Sequence, residues 1–418
     1  MYEKDERLEC NAGIGPGCEA SVRKCLLVVQ GPLQIVAGLI ALEWYGRVKY
    51  GSPKAEIVLL LQDFLVDDEI EKPLEQTIKS LSGVRQWKKV LFIGRHEMSR
   101  LLKRRYTNSV RKIRAVIGED YFDEVYVARS TGGVGNALVL NAYPNATRII
   151  YGDSFGYVGY EEDLSPQTSW SVKNVRSHLK SFVRQVLFGG PVKLDFNAAV
   201  LTLPVDWSGS YLRNIPLLIP EKDHATKILQ EYSEQLAGLA EYCNDLLYES
   251  SDPYLFLLSN LSAAGMMSVE NEIAFYVESI KQVASSGITI LLKPHPRGQA
   301  YITTTIVKTL ASEYSIRVVD DPRFSRVPIE LWRPLINRCR IATVLSSSCT
   351  YLKYFYQIEV VVPLDASNIV KYMNPAWIPY VTKVSTVLLE SLGRLREWDG
   401  RSLLWKGPGR IGTKVAIP

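Results

Sequence analysis

The sequence predicts an α/β protein built as two Rossmann-like halves facing one cleft. Three observations carry this. Short apolar, β-branched runs alternate with helix-length stretches from Cys25 to Val362, the pattern of parallel βαβ units. The alternation lapses between roughly Glu161 and Pro220 and then restarts. At 418 residues the chain also exceeds what one hydrophobic core usually serves.

Taken in order, Cys25–Val29 reads as the first strand, Gly31-Pro32-Leu33-Gln34 as a turn, and Ile35 to Tyr45 as a helix. Further strands are expected at Glu56–Leu61, Lys89–Ile93, Glu124–Ala128 and Arg148–Tyr151, with helices over Leu74–Leu81 and Leu101–Ile117. A long polar helix is expected from Asp223 to Leu247. The second half then reads as strand Tyr254–Leu258, helix Glu270–Ala284, strand Ile288–Leu292, helix Thr303–Tyr314 and strand Ile316–Val319. It closes with strand Ile341–Leu345, a helix from Tyr351, and strand Glu359–Val362. The boundary falls near Pro220 to Asp252, which divides the chain into domains 1–235 and 236–418, the latter with a C-terminal tail.

Composition is that of a globular protein, 47% hydrophobic and 22% charged, with a net charge of +5. The positive charge is diffuse, and no arginine-rich arm or aromatic-interleaved basic motif points to nucleic acid. The six cysteines are scattered without a Cys-x-x-Cys pair or a Cys/His cluster, so no zinc site is expected. Cys25 and Cys349 sit in or beside apolar runs and read as buried thiols in a reducing, cytoplasmic setting. Met1 to Arg7 does not resemble a signal peptide. The run from Leu26 to Trp44 is broken by Gln30, Pro32, Gln34 and Glu43, too polar for a membrane span.

The motif Lys293-Pro294-His295-Pro296-Arg297 follows a buried strand. Its prolines end the ladder and stiffen the turn. A histidine between two cations at a strand's C-terminal end suits an anion such as phosphate, because ligands of open α/β sheets bind at that edge. Ser346-Ser347-Ser348 stands at the end of another strand and before a helix, where hydroxyls and backbone N–H groups can hold an anion or simply cap the helix. Between them Val327-Pro328-Ile329-Glu330-Leu331 opens a further helical segment at Glu330. In the first half, Tyr151-Gly152-Asp153-Ser154 places Asp153 at the fifth strand's C-terminal edge, either as a base or as a turn former. Thr131-Gly132-Gly133-Val134-Gly135-Asn136 lacks the spacing of a dinucleotide fingerprint and reads as a flexible loop lining the cleft.

In this order the His-Pro, Pro-Ile-Glu and Ser-Ser elements resemble the bacterial sialyltransferases and polysialyltransferases, which have the GT-B fold. Val29 to Gln34 is similar to that family's first strand and turn, and Asp153 stands for its acidic motif, with extra residues around a single carboxylate. The resemblance implies inverting transfer of sialic acid, or a related nonulosonic acid, from a CMP-activated donor to a hydroxyl of a glycan or glycolipid in capsule or lipooligosaccharide biosynthesis. It implies Asp153 as general base and His295 as the group that assists the departing phosphate. Lys293, Pro296, Arg297, Ser346, Ser347 and Ser348 would surround the CMP donor, and Glu330 would take its ribose hydroxyls. No metal and no cofactor beyond the donor is expected. Other readings are a Kdo or polyol-phosphate transferase using a cytidine nucleotide, or a nucleotide- or glycan-binding protein without turnover. The tail mixes Arg394, Arg396, Arg401, Lys406, Arg410 and Lys414 with Leu395, Trp398, Leu403, Leu404 and Trp405. It suits either peripheral contact with the inner face of the plasma membrane or packing back across the first domain.

Overall fold

The computed structural model describes residues 22–62, 68–102, 106–128, 134–152, 196–203, 215–296, 298–394 and 403–405. They form two parallel sheets, each covered by helices. The elements of the first part are β1 (Arg23–Val29), α1 (Pro32–Tyr50), β2 (Ala55–Gln62), α2 (Asp68–Ser82), β3 (Lys89–Ile93), α3 (Arg95–Leu102), α4 (Tyr106–Ile117), β4 (Glu124–Val127), α5 (Val134–Ala142), β5 (Thr147–Gly152), β6 (Ala198–Leu201) and β7 (Leu217–Ile219). Two helices follow, α6 (Lys222–Gln235) and α7 (Leu239–Leu247). The second part comprises β8 (Tyr254–Leu257), α8 (Val269–Val283), β9 (Thr289–Lys293), α9 (Ala300–Leu310), β10 (Ser315–Val318), α10 (Arg333–Ile336), β11 (Arg340–Thr343), α11 (Ser348–Tyr356), β12 (Val360–Val361), α12 (Ala366–Tyr372) and α13 (Ile378–Arg394). Last comes β13 (Leu403–Trp405).

The first sheet runs β3-β2-β1-β4-β5-β6-β7-β13, and the second β10-β9-β8-β11-β12. All pairs are parallel except β13 with β7, where Leu403 lies opposite Ile219 in an antiparallel edge. Each sheet starts in its middle, steps outward, then reverses and builds the other way, the order of a doubly wound fold. The reversals fall between β1 and β4 and between β8 and β11. The central strands are apolar throughout because helices cover both faces: Cys25 to Val29 and Leu255 to Phe256 are essentially inaccessible. The two-part α/β class is as expected. Residues 403–405 return to the first sheet as its edge strand, in line with the packing-back reading of the tail.

Several helices differ from the expectation for identifiable reasons. Helix α1 starts at Pro32, whose missing N–H costs nothing at a helix start. It continues through Gly46, where a Cβ would lie 2.0 Å from Arg23 Nη2, so glycine makes room for the guanidinium. The polar helix expected over Asp223–Leu247 is two helices, broken at Gly238 with φ +79°. The irregular stretch holds strands β6 and β7.

Arg23 and Glu124 open β1 and β4 at the sheet edge opposite the motifs. Arg23 Nη1 lies 2.6 Å from Glu124 Oε2, which also accepts from Tyr126 Oη at 2.7 Å and from Cys25 Sγ at 3.3 Å. Glu124 is fully buried and Arg23 7% exposed, so neither charge has water to fall back on. Arg23→Ala should therefore cost on the order of 3–5 kcal/mol by stranding the carboxylate. Urea unfolding of the variant would check this, and a loss below about 1 kcal/mol, as for an exposed pair, would contradict it.

Candidate active site

The motif residues gather at the C-terminal edge of the second sheet. Strand β9 ends at Lys293, and Pro294-His295-Pro296 turns out of it. The Gly298 N–H donates to the His295 carbonyl at 2.7 Å and closes that turn. His295 is half-buried, at the border of core and surface. Strand β8 lies between β9 and β11, so the His-Pro turn and the serine turn are two strand spacings apart, ~10 Å. A nucleotide's phosphate and ribose can bridge such a gap.

The serine turn lies at the reversal point. Leu345 has φ +50°, a left-handed conformation that a branched side chain adopts only under local constraint. It swings the chain from β11 into α11. Ser346 Oγ accepts from the Ser348 N–H at 3.3 Å, while Ser347, the residue before α11, makes no side-chain cap. Below them the Cys349 thiol donates to the Ser346 carbonyl at 2.8 Å, and Thr350 Oγ1 to the Ser347 carbonyl at 2.6 Å. The turn is thus held from beneath by α11, and Ser346, Ser347 and Ser348 stay partly accessible at a helix N-terminus that favours negative charge.

Strand β8 brings residues that the motifs did not reveal. Ser259 Oγ donates to the Val344 carbonyl at 2.5 Å, and the Ser259 N–H to Tyr276 Oη at 2.6 Å. Glu272 accepts from the Leu261 and Ser262 N–H groups at 3.2 and 2.8 Å and fixes the loop beyond. Asn260 Oδ1, in that loop, is buried and has no hydrogen-bond partner among the described residues. These positions directly follow the central strand of the second sheet, a place that the strand order reveals and the local sequence does not.

Lys293 is placed differently from the other motif residues. It is 6% exposed, and its Nζ donates to the Ser325 carbonyl at 2.7 Å and lies 4.8 Å from the centroid of Trp332. It does not face water. It ties the segment leading to Glu330 back onto β9. Glu330, 1% exposed, sits in the 3-10 turn Ile329–Leu331, and its carbonyl accepts from Tyr356 Oη at 2.5 Å. Burial pushes the Lys293 ammonium down to about 7, against the pull of Glu330 in the other direction.

A cavity of about 540 Å³ opens beside the His-Pro turn, between the ends of β9 and β10. His295, Pro296, Lys308, Asp320, Ser325 and Arg326 are among its walls. Arg326 Nε is buried without a hydrogen-bond partner among the described residues, and burial lowers the arginine's pKa. The volume falls in the range of small-ligand sites.

Arg297 and Asp153 lie outside the described residues, as do Gly132 and Gly133. Strand β5 is described as far as Gly152. In the glycine-rich stretch, Gly135 and Asn136 begin α5. A Cβ on Gly135 would lie 3.0 Å from Gln62 Oε1, and Gln62 Nε2 donates to Asn136 Oδ1 at 2.7 Å. Gly135 therefore serves close packing of α5 on β2. No group of three or more His, Cys, Asp or Glu among the described residues could hold a metal ion. No helix among them is long and apolar enough to cross a membrane.

The lowered Lys293 pKa has a readable consequence. The unfolded chain holds this proton up to about 10.5 and the folded chain only to about 7, so unfolding takes up a proton in that window. The residue's contribution to stability then rises with pH across the window and is least favourable below it. Relative to Lys293→Met, the wild type should gain stability as pH climbs from about 7 to about 10.5. Chemical denaturation of both at several pH values would show it, and a constant difference would contradict the buried ammonium.

Residues 214–364 match the model of the alpha-2,8-polysialyltransferase (POLYST) family. That span holds the His-Pro turn, the Pro-Ile-Glu segment and the serine turn. No curated protein sequence matches the chain significantly. Among solved structures, the chain is similar to the UDP-GlcNAc 2-epimerase of Methanocaldococcus jannaschii, with 11% identity, 93% of this chain and 96% of that one covered, and a TM-score of 0.40. It is also similar to the Neisseria meningitidis UDP-GlcNAc 2-epimerase bound to UDP-GlcNAc, at 10% identity, 92% and 95% coverage and a TM-score of 0.45. A third similar structure is the E. coli ADP-heptose lps heptosyltransferase II, at 12% identity, 88% and 99% coverage and a TM-score of 0.38. Two doubly wound domains, with the motifs at the C-terminal edge of the second, are the GT-B layout the resemblance implied. Over residues 214–364, somewhat more than a third of the chain, the protein is similar to the alpha-2,8-polysialyltransferase family.

Proposed function

We propose that this protein transfers sialic acid, or a related nonulosonic acid, from a CMP-activated donor to a glycan hydroxyl with inversion at the anomeric carbon. The observation that carries the reading is the joint placement of His295, Glu330 and the Ser346–Ser348 turn around one sheet edge, inside the segment that matches the polysialyltransferase family. The phosphate of the donor would sit between the serine turn and His295. There the dipole of α11 and the serine hydroxyls oppose its charge, and His295 gives a proton or hydrogen bond to the phosphate oxygen as the glycosidic bond breaks. The cavity at the His-Pro turn suits the nucleoside end. Glu330, set in its 3-10 turn, is the acceptor for ribose hydroxyls. Lys293 acts from beneath by holding the segment that carries Glu330, and Arg297 remains a partner for the phosphate charge.

Attack on the anomeric carbon needs a base for the acceptor hydroxyl on the face opposite the phosphate. Asp153, next in sequence after β5, fills that role in this reading. The glycan or glycolipid acceptor would then approach from the first sheet. Peripheral membrane contact falls to the basic residues flanking Leu403 to Trp405, whose backbones pair with β7.

The test is CMP release and product formation with a panel of CMP-sugars, with and without glycan acceptors. CMP-sialic acid or a CMP-nonulosonate should be turned over, and CMP-Kdo or a cytidine-polyol donor should not. Asp153→Asn and His295→Ala should each lower transfer about a hundred- to ten-thousand-fold. CMP affinity should stay near wild type in both. Turnover of CMP-Kdo alone would replace the reading with that of a Kdo transferase. CMP binding without turnover of any donor would replace it with that of a binding protein.

A further inference from the structure

The end of β5 and the serine turn are connected through two buried hydroxyl groups. Strand β5 ends at Gly152, with φ +146°, a conformation that side chains adopt only at a cost. The Gly152 carbonyl accepts from the Thr202 N–H at 3.1 Å and from Thr202 Oγ1 at 3.3 Å. Thr202 stands just after β6, beside β5 in the first sheet. Its hydroxyl also meets Tyr351 Oη, on α11 of the second domain. Either hydroxyl can donate in this pair. One turn of helix earlier, the Tyr351 N–H donates to the Ser347 carbonyl at 3.2 Å.

Thr202 is 1% exposed and Tyr351 wholly buried. Tyr351 belongs to the core that also contains Leu201 and Leu203 of the first domain. Buried hydroxyls are costly unless paired, and these two satisfy each other across the domain boundary. The pairing is also directional, unlike the apolar contacts around it. It fixes the orientation of the peptide leading out of β5 against the helix that follows the Ser346–Ser348 turn.

We propose that Thr202 and Tyr351 are a positioning pair, an interdomain clasp that sets the end of β5 at working distance from the serine turn. The functional part of this inference rests on the sialyl-transfer reading. Neither residue touches substrate in this account. Their effect is on the distance between the group that activates the acceptor and the site that holds the donor phosphate. A displacement of about 1 Å between reacting groups can cost about a hundredfold in rate.

The test compares Thr202→Val, Tyr351→Phe, the double variant and Thr202→Ser. Each single variant breaks the Thr202–Tyr351 pair and should melt at lower temperature, and the double variant, which loses that pair only once, should lose less than the two single losses added. Transfer should behave otherwise. It should fall about a hundredfold in Thr202→Val and stay low in the double variant. CMP affinity should be unchanged, and Thr202→Ser should transfer like the wild type. Recovery of transfer in the double variant, or wild-type transfer in folded Thr202→Val, would overturn the proposal.

A second readout needs no turnover. Spin labels at Tyr121→Cys and Val370→Cys, 55% and 67% exposed and one in each domain, report the interdomain distance. The other accessible cysteines would first be replaced. One narrow distance is expected with the clasp intact, and a shifted or broader one in Thr202→Val and in the double variant. An unchanged distribution would overturn the clasp. If the wild type turns over no CMP-sugar, the functional reading fails, and the distances still decide whether the clasp exists.

Discussion

The arrangement depends on a single apolar core shared by the two domains. It runs from Leu27 and Val29 in β1 through Ile35 and Leu39 of α1 to Ile228, Leu229 and Tyr232 of α6, and on to Leu331, Trp332 and Tyr351. Helix α6 is the bridge, packed on α1 on one side and on the 3-10 turn holding Glu330 on the other. Protein interiors are close-packed and resist small displacements, so a shared core transmits the position of one sheet edge to the other. Two ion pairs of Arg85, with Glu231 of α6 and Glu43 of α1, are half-exposed and add little to this. Apolar contact sets the approximate placement, and the buried polar groups refine it.

Those polar groups are concentrated just beneath the second sheet's C-terminal edge. Lys293 and Thr350 are buried within a few residues of the His-Pro and serine turns, and Glu330 is buried in the 3-10 turn that lies between them in sequence. Burying an ammonium is expensive, which is why its proton is held less tightly than in water. The arrangement persists because Lys293 has a carbonyl acceptor and an aromatic face, and because Glu330 is close enough to oppose the desolvation. The consequence is a firm floor under a polar, open rim. Cys349 belongs to the same floor: burial pushes its thiol up to about 12, which suits a structural group and not a nucleophile.

The sheets were legible in the sequence because their central strands are buried on both faces and therefore read as unbroken apolar runs. Val28, Leu60, Ile150, Leu255 and Leu291 are of this kind. The His-Pro and serine turns were legible because proline and serine mark strand ends whatever surrounds them. Other features were hidden for physical reasons. The break at Gly238 depends on a left-handed residue that helical periodicity does not register. The inward course of Lys293 is set by Trp332 and Ser325, more than thirty residues away, so local sequence suggested a cation facing the donor phosphate instead. Ser259 and Asn260 became visible only once β8 was known to be central in its sheet. Thr202 and Tyr351 carry no motif at all, and only the tertiary contact joins them. The expectation for Asp153 concerns a residue outside those described.

The most direct measurement of the central claim is hydrogen exchange on the full chain with and without CMP, read by mass spectrometry. If the second sheet's C-terminal edge holds the nucleotide, CMP should slow exchange in three stretches: 294–300 at the His-Pro turn, 320–331 up to Glu330, and 345–351 at the serine turn. Exchange in β1 to β3 should stay as it is. Protection confined to the first sheet's edge, around 30–34 and 134–140, or no protection at saturating CMP, would contradict the account.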